Sequence, residues 1–135
     1  MNPYMQTPRR VDKLIKQYKE HGSLIIGVDF DFTIYDSDTK TMYTYIVNLI
    51  IQAQQLNCKL CLWTANGTER VERIITECAK YNLVFDYINE SPINLGEDDI
   101  RKYHWNILLD DTAGLGQAVE ILEHIIYRIR NNNEH

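Results

Sequence analysis

Short apolar runs alternate along this chain with longer segments of helical periodicity, and no other feature constrains the fold as strongly. The apolar runs predict buried strands at 24–30, 60–63, 84–88 and 107–109. Apolar residues at helical spacing predict helices over 11–21, 39–56, 69–81 and 116–130. This alternation is typical of parallel βαβ units. We therefore expect an α/β protein: a single Rossmann-like three-layer domain, mostly parallel sheet, with helices on both faces.

Length and charge narrow the class of protein further. The chain has 135 residues, a net charge of −5 and 44% hydrophobic residues, enough for one core. We expect a single domain over 1–135, with a leading helix in 1–22 and a frayed tail at 131–135. No run approaches the roughly 20 apolar residues that span a bilayer, and residues 1–10 lack a secretory core. We predict a cytoplasmic location, no membrane partner and no broad nucleic-acid binding.

The three cysteines indicate reduced thiols in a cytosol-like compartment. Cys58 and Cys61 form a C-x-x-C pair, but inside a predicted strand, where alternation points the two side chains to opposite faces. No second ligand pair has the spacing of a zinc site. Cys58, Cys61 and Cys78 are therefore predicted to be buried apolar thiols rather than metal or redox groups.

Carboxylates follow two of the predicted strands directly. Asp29 and Asp31 follow the first, and Asp110 and Asp111 follow the fourth. In a parallel sheet these strand ends share one edge, outside which ligands bind. Carboxylates about 4 Å apart repel by roughly 4 kcal/mol at an effective dielectric near 20, and a divalent cation offsets that cost. Any single Asp could instead be a helix cap or turn former, but the set predicts a Mg²⁺ cofactor.

Four motifs in order carry a family resemblance. Asp29-Phe-Asp31-Phe-Thr33 resembles motif I, D-x-D-x-T, of the haloacid dehalogenase-like (HAD) hydrolases. Thr64, after an apolar run, looks like their motif II Ser/Thr, and Asp110-Asp111 looks like their acidic motif IV. Lys102, eight positions before Asp110, fits the motif III lysine. The order and context match over residues 24–115, and the fuller string resembles small, capless, phosphatase-like members.

The resemblance implies a Mg²⁺-dependent phosphomonoesterase. Asp29 would attack phosphorus and form an aspartyl-phosphate. Asp31 would protonate the leaving oxygen and then activate water. Thr64 would bind a phosphoryl oxygen, and Lys102 would offset its charge; Arg101 is the alternative cation, while Lys59 belongs to the opposite edge.

The metal ligands implied by the resemblance are Asp29, the backbone carbonyl of Asp31, and either Asp110 or Asp111. The resemblance also places Thr33 in the phosphate-binding loop, where it would orient the loop rather than contact the substrate. Phe32 replaces a Gly that many relatives have, and we expect it to reshape the turn or narrow the entrance.

Further phosphate contacts are assigned to the residues after the second and third strands. Asn66 and Gly67 begin a helix whose backbone amides could cradle phosphate, although an ordinary cap fits equally well. Asn89, with Glu90 beside it, could contact the leaving group or a water.

Substrate and partners stay open at this stage. About 30 residues separate Thr33 from Thr64, and one helix uses most of them, so no cap domain is expected. The partner is a phosphorylated small molecule or an exposed phosphate on a macromolecule, and a second copy of the chain could form a lid.

The alternatives to a phosphatase are a catalytically silent HAD-like binding module and a receiver-type signalling domain. In receivers the paired acids come at the first strand, a lone acceptor Asp lies mid-chain and the lysine comes last. Here the spaced pair Asp29 and Asp31 comes first, and the adjacent pair Asp110-Asp111 follows Lys102.

Overall fold

The computed structural model describes residues 3–64, 67–89, 106–111 and 114–132. Four helices are present in this part of the chain: α1 (Pro3–His21), α2 (Thr44–Gln55), α3 (Thr68–Ala79) and α4 (Leu115–Asn132). The strands in the same part are β1 (Ile25–Val28), β2 (Tyr35–Asp36), β3 (Thr41–Met42), β4 (Lys59–Leu62), β5 (Tyr87–Ile88) and β6 (Ile107–Leu109).

Four of these strands form one parallel sheet in the order β5-β4-β1-β6. The central strand β1 pairs with β4 on one side and with β6 on the other, so that Val28 lies opposite both Leu62 and Leu109. Helices flank this sheet. The predicted α/β fold, a single Rossmann-like domain with a mostly parallel sheet, is confirmed.

The sheet is buried on both of its faces. Leu60, Cys61 and Leu62 follow one another along β4 and are all completely buried. Since successive side chains of a strand point to opposite faces, this run requires cover on both sides of the sheet. Helices α1 and α4 pack against each other, and α4 also contacts β6 and α2. The apolar runs at 24–30, 60–63 and 107–109 therefore contain strands of the interior. The buried strand predicted at 84–88 is corrected: only Tyr87–Ile88 form a strand, β5, which is half-buried because it lies at the edge of the sheet, and Val84 is 63% exposed.

All three cysteines belong to this interior. Cys58, Cys61 and Cys78 are buried and reduced. Burial raises the pKa of Cys58 to about 11 and that of Cys78 to about 12. At neutral pH these two side chains are therefore thiols rather than nucleophilic thiolates.

The predicted helix over 39–56 begins too early, and its start is corrected here. A two-stranded hairpin of β2 and β3 precedes α2, which begins at Thr44. One carboxylate oxygen of Asp36 accepts the backbone N–H groups of Asp38 at 2.9 Å and Thr39 at 3.3 Å. Such side-chain bonds favour a turn over a helix, which is why the polar start of the predicted segment is not helical.

Helix α4 also runs further than expected. It includes Asn131 and Asn132, which the sequence places in a frayed tail, whereas residues 133–135 lie outside the described part of the chain. Within the described ranges, no helix has both the length and the apolar character needed to cross a membrane.

Candidate active site

The ends of β1 and β6 bring three carboxylates together. The backbone N–H of Asp29 donates to the carbonyl oxygen of Leu109 at 2.9 Å, which extends the β1–β6 ladder beyond the strands. This register places Asp29 beside the residues that follow β6. One carboxylate oxygen from each of Asp29, Asp110 and Asp111 lies within 4.8 Å of the other two. We call these three residues the carboxylate cluster.

The carboxylate cluster is electrostatically unfavourable for Asp29. Partial burial, followed by repulsion from Asp110, raises the pKa of Asp29 from 3.8 to about 6. Repulsion from Asp111 and Asp31 adds to the rise, and a hydrogen bond from the backbone of Phe30 opposes it. Three hard oxygen donors at this spacing suit Mg²⁺, whose charge would stabilise the ionised Asp29.

Thr33 is hydrogen-bonded to one member of the carboxylate cluster, Asp111. The Thr33 side chain is completely buried, and its hydroxyl oxygen accepts the backbone N–H of Asp111 at 2.9 Å. The hydroxyl thus ties the loop after β1 to the loop after β6, and it faces the interior rather than a substrate. The predicted role of Thr33 in orienting a phosphate-binding loop stays a prediction.

The turn between Asp29 and Thr33 is tight. The carbonyl oxygen of Phe30 accepts the N–H groups of Thr33, Ile34 and Tyr35 at 3.1–3.3 Å. Phe32 has a φ of 60°, in the left-handed region that glycine occupies without a steric cost. Phe32 thus adopts a glycine-like backbone conformation, and the residue is 41% exposed.

Asp31 lies apart from the carboxylate cluster and has a cationic partner. Arg70 Nη2 and the Ser37 hydroxyl both bond its Oδ1, at 3.0 and 2.9 Å. The Arg70 guanidinium also lies 5.9 Å from the centre of the Phe30 ring, within the range of a cation–π contact. We call Asp31, Ser37 and Arg70 the Asp31 group.

Arg70 is a site residue that sequence reasoning missed. It lies in the first turns of α3, and the start of that helix follows the carboxyl end of β4. A cation at the start of a helix that follows a parallel strand is the signal that could have indicated it, because such a helix starts at the ligand edge.

Thr64 and Asn89 come together at the ends of β4 and β5. The Asn89 side-chain oxygen accepts the backbone N–H of Thr64 at 2.8 Å, and the Asn89 N–H donates to Leu62 at 2.8 Å. Asn89 therefore positions Thr64. Gly67 is the residue before α3, and its carbonyl accepts the first helical N–H, from Val71.

Several predicted site residues lie outside the described ranges. These are Asn66, Glu90, Arg101 and Lys102. The assignment of a phosphate-binding lysine or arginine to 101–102 stays a prediction from the sequence.

Comparison with known proteins adds a fold neighbour. No protein-family profile matches the chain, and no curated protein matches it. A solved structure described as a conserved protein coded by a locus from Bacteroides thetaiotaomicron is similar at a TM-score of 0.62 and 24% identity. The match covers 76% of this chain and 91% of that one. At this identity the likeness supports the fold alone.

Proposed function

We propose that this protein is a Mg²⁺-dependent phosphomonoesterase that acts through an aspartyl-phosphate on Asp29. The observation that carries the proposal is the carboxylate cluster, which gathers side chains about 80 residues apart at the ligand edge of a parallel sheet. The HAD resemblance of the motifs implies the same residues. Repulsion within the cluster would be costly without a bound cation.

The donor set fits Mg²⁺. Asp29 and one or both of Asp110 and Asp111 would hold the ion through carboxylate oxygens, together with the backbone carbonyl of Asp31. When bound, the ion would polarise the phosphoryl group and neutralise charge on its oxygens.

The protein's own groups account for both steps of the reaction. A carboxylate oxygen of Asp29 bonds to phosphorus while the ester P–O bond breaks, and Asp31 gives its proton to the departing oxygen. Asp31 then takes a proton from water as that water attacks phosphorus. Inorganic phosphate leaves, and the Asp29 carboxylate is restored.

The Asp31 group supports this division of roles. Asp29 is in the cluster that would hold the cation, whereas Asp31 is held at its Oδ1 by Arg70 and Ser37. Arg70 and Ser37 would act as positioning residues that direct Asp31 toward the leaving oxygen. Thr64, fixed by Asn89, would contact a phosphoryl oxygen.

The substrate class is a phosphorylated small molecule or an exposed phosphate on a macromolecule. The buried thiols accord with a reducing cytoplasm, which we propose as the location.

The test is hydrolysis of para-nitrophenyl phosphate with Mg²⁺ and with a chelator. Asp29→Asn should lower kcat by at least about 10³-fold, since it removes the nucleophile. Asp38→Asn, which removes an exposed carboxylate from the nearby hairpin turn, is the matched control and should keep the wild-type rate. Equal rates for wild type and Asp29→Asn would refute the assignment, and no turnover by wild type would favour a silent binding module.

Asp31→Asn provides a sharper test of the intermediate. Para-nitrophenolate departs without needing a proton, so this variant should still form the aspartyl-phosphate but hydrolyse it slowly. Rapid mixing should show a burst of nitrophenolate followed by a slow phase. A variant with no burst and no phosphorylated Asp29 by mass spectrometry would contradict the role of Asp31.

A further inference from the structure

A cationic groove lies beside Asp31, and of the residues that line it only Arg70 has a role in the chemistry above. The groove has a volume of about 310 Å³. Lys40, Arg70 and Arg73 line it, together with one carboxylate, Glu77. Glu77 accepts a hydrogen bond from Lys80 at 3.1 Å, which offsets its charge. Asp31 likewise offsets the charge of Arg70, so the positive charge of the groove comes mainly from Lys40 and Arg73, although the chain as a whole carries a charge of −5.

We propose that this groove binds a second phosphate group of the substrate, so that the preferred substrates are bisphosphates. The inference rests on the proposed phosphomonoesterase function and names its substrate class. Guanidinium groups bind phosphate with paired, charge-assisted hydrogen bonds, and two of the three cations are arginines.

The position of Arg70 indicates which end of the substrate the groove receives. Arg70 lines the groove and also bonds Asp31 at 3.0 Å. Asp31 would protonate the leaving oxygen, so the leaving group departs on the side of Asp31. The groove would thus lie on the leaving-group side of the site, and a second phosphate on the leaving group would meet Lys40, Arg70 and Arg73.

Two aromatic residues form part of the groove lining. Phe30 and Tyr35 are stacked with ring centres 4.9 Å apart and planes 19° from parallel, and both line the groove. Phe30 is almost completely buried and presents little surface to a ligand. Tyr35 is partly exposed, so its ring is the aromatic surface that the carbon skeleton of a bisphosphate would contact.

The backbone at Lys40 supplies an independent argument. Lys40 has a φ of 56° in the turn between β2 and β3. Gly or Asn adopts this left-handed backbone conformation with less strain than Lys does. A lysine is thus placed where it reduces stability, and its side chain lines the groove. Strained residues of this kind cluster at ligand-binding sites.

The test compares α,ω-alkanediol bisphosphates of increasing length with the matching alkyl monophosphates. The best bisphosphate should have a KM at least about tenfold lower than its monophosphate. Lys40→Gly and Arg73→Gln should each reduce this preference several-fold. Lys40→Gly should do so with an equal or higher Tm, which separates lost binding from lost folding.

Lys59→Gln is the matched control, because it removes one exposed cation from the opposite edge of the sheet. It should leave the ratio of the two KM values unchanged. A wild-type enzyme that hydrolyses both classes with equal KM would overturn the groove proposal and leave the proposed function standing, as would a preference that both groove variants retain.

Calorimetric titration of the same bisphosphates separates the two proposals when no hydrolysis occurs. Binding that the wild type shows, and that Lys40→Gly and Arg73→Gln weaken, would support the groove while contradicting the phosphatase function. Neither turnover nor binding would overturn both.

Discussion

Asp29 and Asp31 are two residues apart, yet their carboxylates have contrasting surroundings. Asp29 shares the carboxylate cluster with Asp110 and Asp111, which raises its pKa to about 6. Asp31 instead accepts hydrogen bonds from Arg70 and Ser37. The sharp turn after β1 separates them. Asp29 belongs to a cluster of carboxylates that would suit a bound cation, whereas Asp31 is already paired with the guanidinium group of Arg70. Identical side chains in one motif therefore have different electrostatic surroundings, which is the basis for the different roles proposed for Asp29 and Asp31.

The largest expected effect is on metal binding by the carboxylate cluster. Asp110→Asn and Asp111→Asn should each weaken Mg²⁺ binding, the direct ligand by about 100-fold and the other by about tenfold or less. Calorimetric titration with Mg²⁺ would rank the two residues. Arg70→Gln, which alters only the Asp31 group, should change the affinity little. A comparable loss in Arg70→Gln would show that the two regions are not separate.

Removing the Thr33 hydroxyl should destabilise the protein. Thr33→Val leaves the backbone N–H of Asp111 without its acceptor, which should lower the free energy of unfolding by about 1–3 kcal/mol. Thr33→Ser keeps the hydroxyl and is the control. Urea denaturation would measure both variants, and equal stability of Thr33→Val and wild type would show that the bond contributes nothing to folding.

Asp29→Asn and Asp31→Asn should change stability in opposite directions. With the Asp29 pKa raised from 3.8 to about 6, the folded protein retains a proton that the unfolded chain has already lost between these values. The contribution of Asp29 to the stability of the wild type therefore falls as pH rises through about 4 to 6, and it stays lower above 6. Asn does not titrate. The free energy of unfolding of Asp29→Asn should therefore exceed that of the wild type by about 1–2 kcal/mol at pH 8, after allowance for solvent screening, and should equal it below pH 4.

Asp31→Asn loses the ion pair with Arg70, which should lower the free energy of unfolding by up to about 1 kcal/mol at the same pH. Denaturation in chelator across the pH range would measure both variants. Addition of Mg²⁺ should stabilise wild type and not Asp29→Asn. An Asp29→Asn variant less stable than wild type at pH 8 in chelator would contradict the repulsion assigned to the carboxylate cluster.

The smallest effect is expected at the turn that separates the two regions. Phe32→Gly relieves a left-handed φ of 60° and should stabilise the protein by up to about 1 kcal/mol, because glycine also loses more entropy on folding. Thermal unfolding would measure the gain. The pH dependence that Asp29 produces should be the same in this variant, and its disappearance would show that the strained turn, not charge, sets that pKa.

Sequence patterns predicted β1, β4 and β6 well because these strands are mostly buried, whereas the edge strand β5 is shorter and more exposed than predicted. Runs such as Leu60 to Leu62 have no polar alternation, and they could only be read as interior strands or short buried helices. The hairpin at 35–42 was missed because its strands have two residues each and its turn depends on the Asp36 side chain.

The same contrast applies to the candidate site. The meeting of Asp29 with Asp110 and Asp111 followed from strand order, since parallel strands end at one edge. The partnership of Asp31 with Arg70 did not, because it depends on how α3 packs over the loop after β1 and on the rotamer of a long side chain. Backbone topology can be inferred from periodicity, whereas contacts of flexible charged side chains require coordinates.

The bond between Thr33 and Asp111 joins positions 78 residues apart in the chain. Closing so long a loop costs conformational entropy, and this cost slows the formation of contacts between residues far apart in the sequence. The cluster can therefore be completed only when β6 docks against β1, and mutual repulsion of the acids opposes that same docking event. In the refolding of this protein, competence to bind a cation should be among the last properties to appear, after the secondary structure of α2 and α3 has already formed.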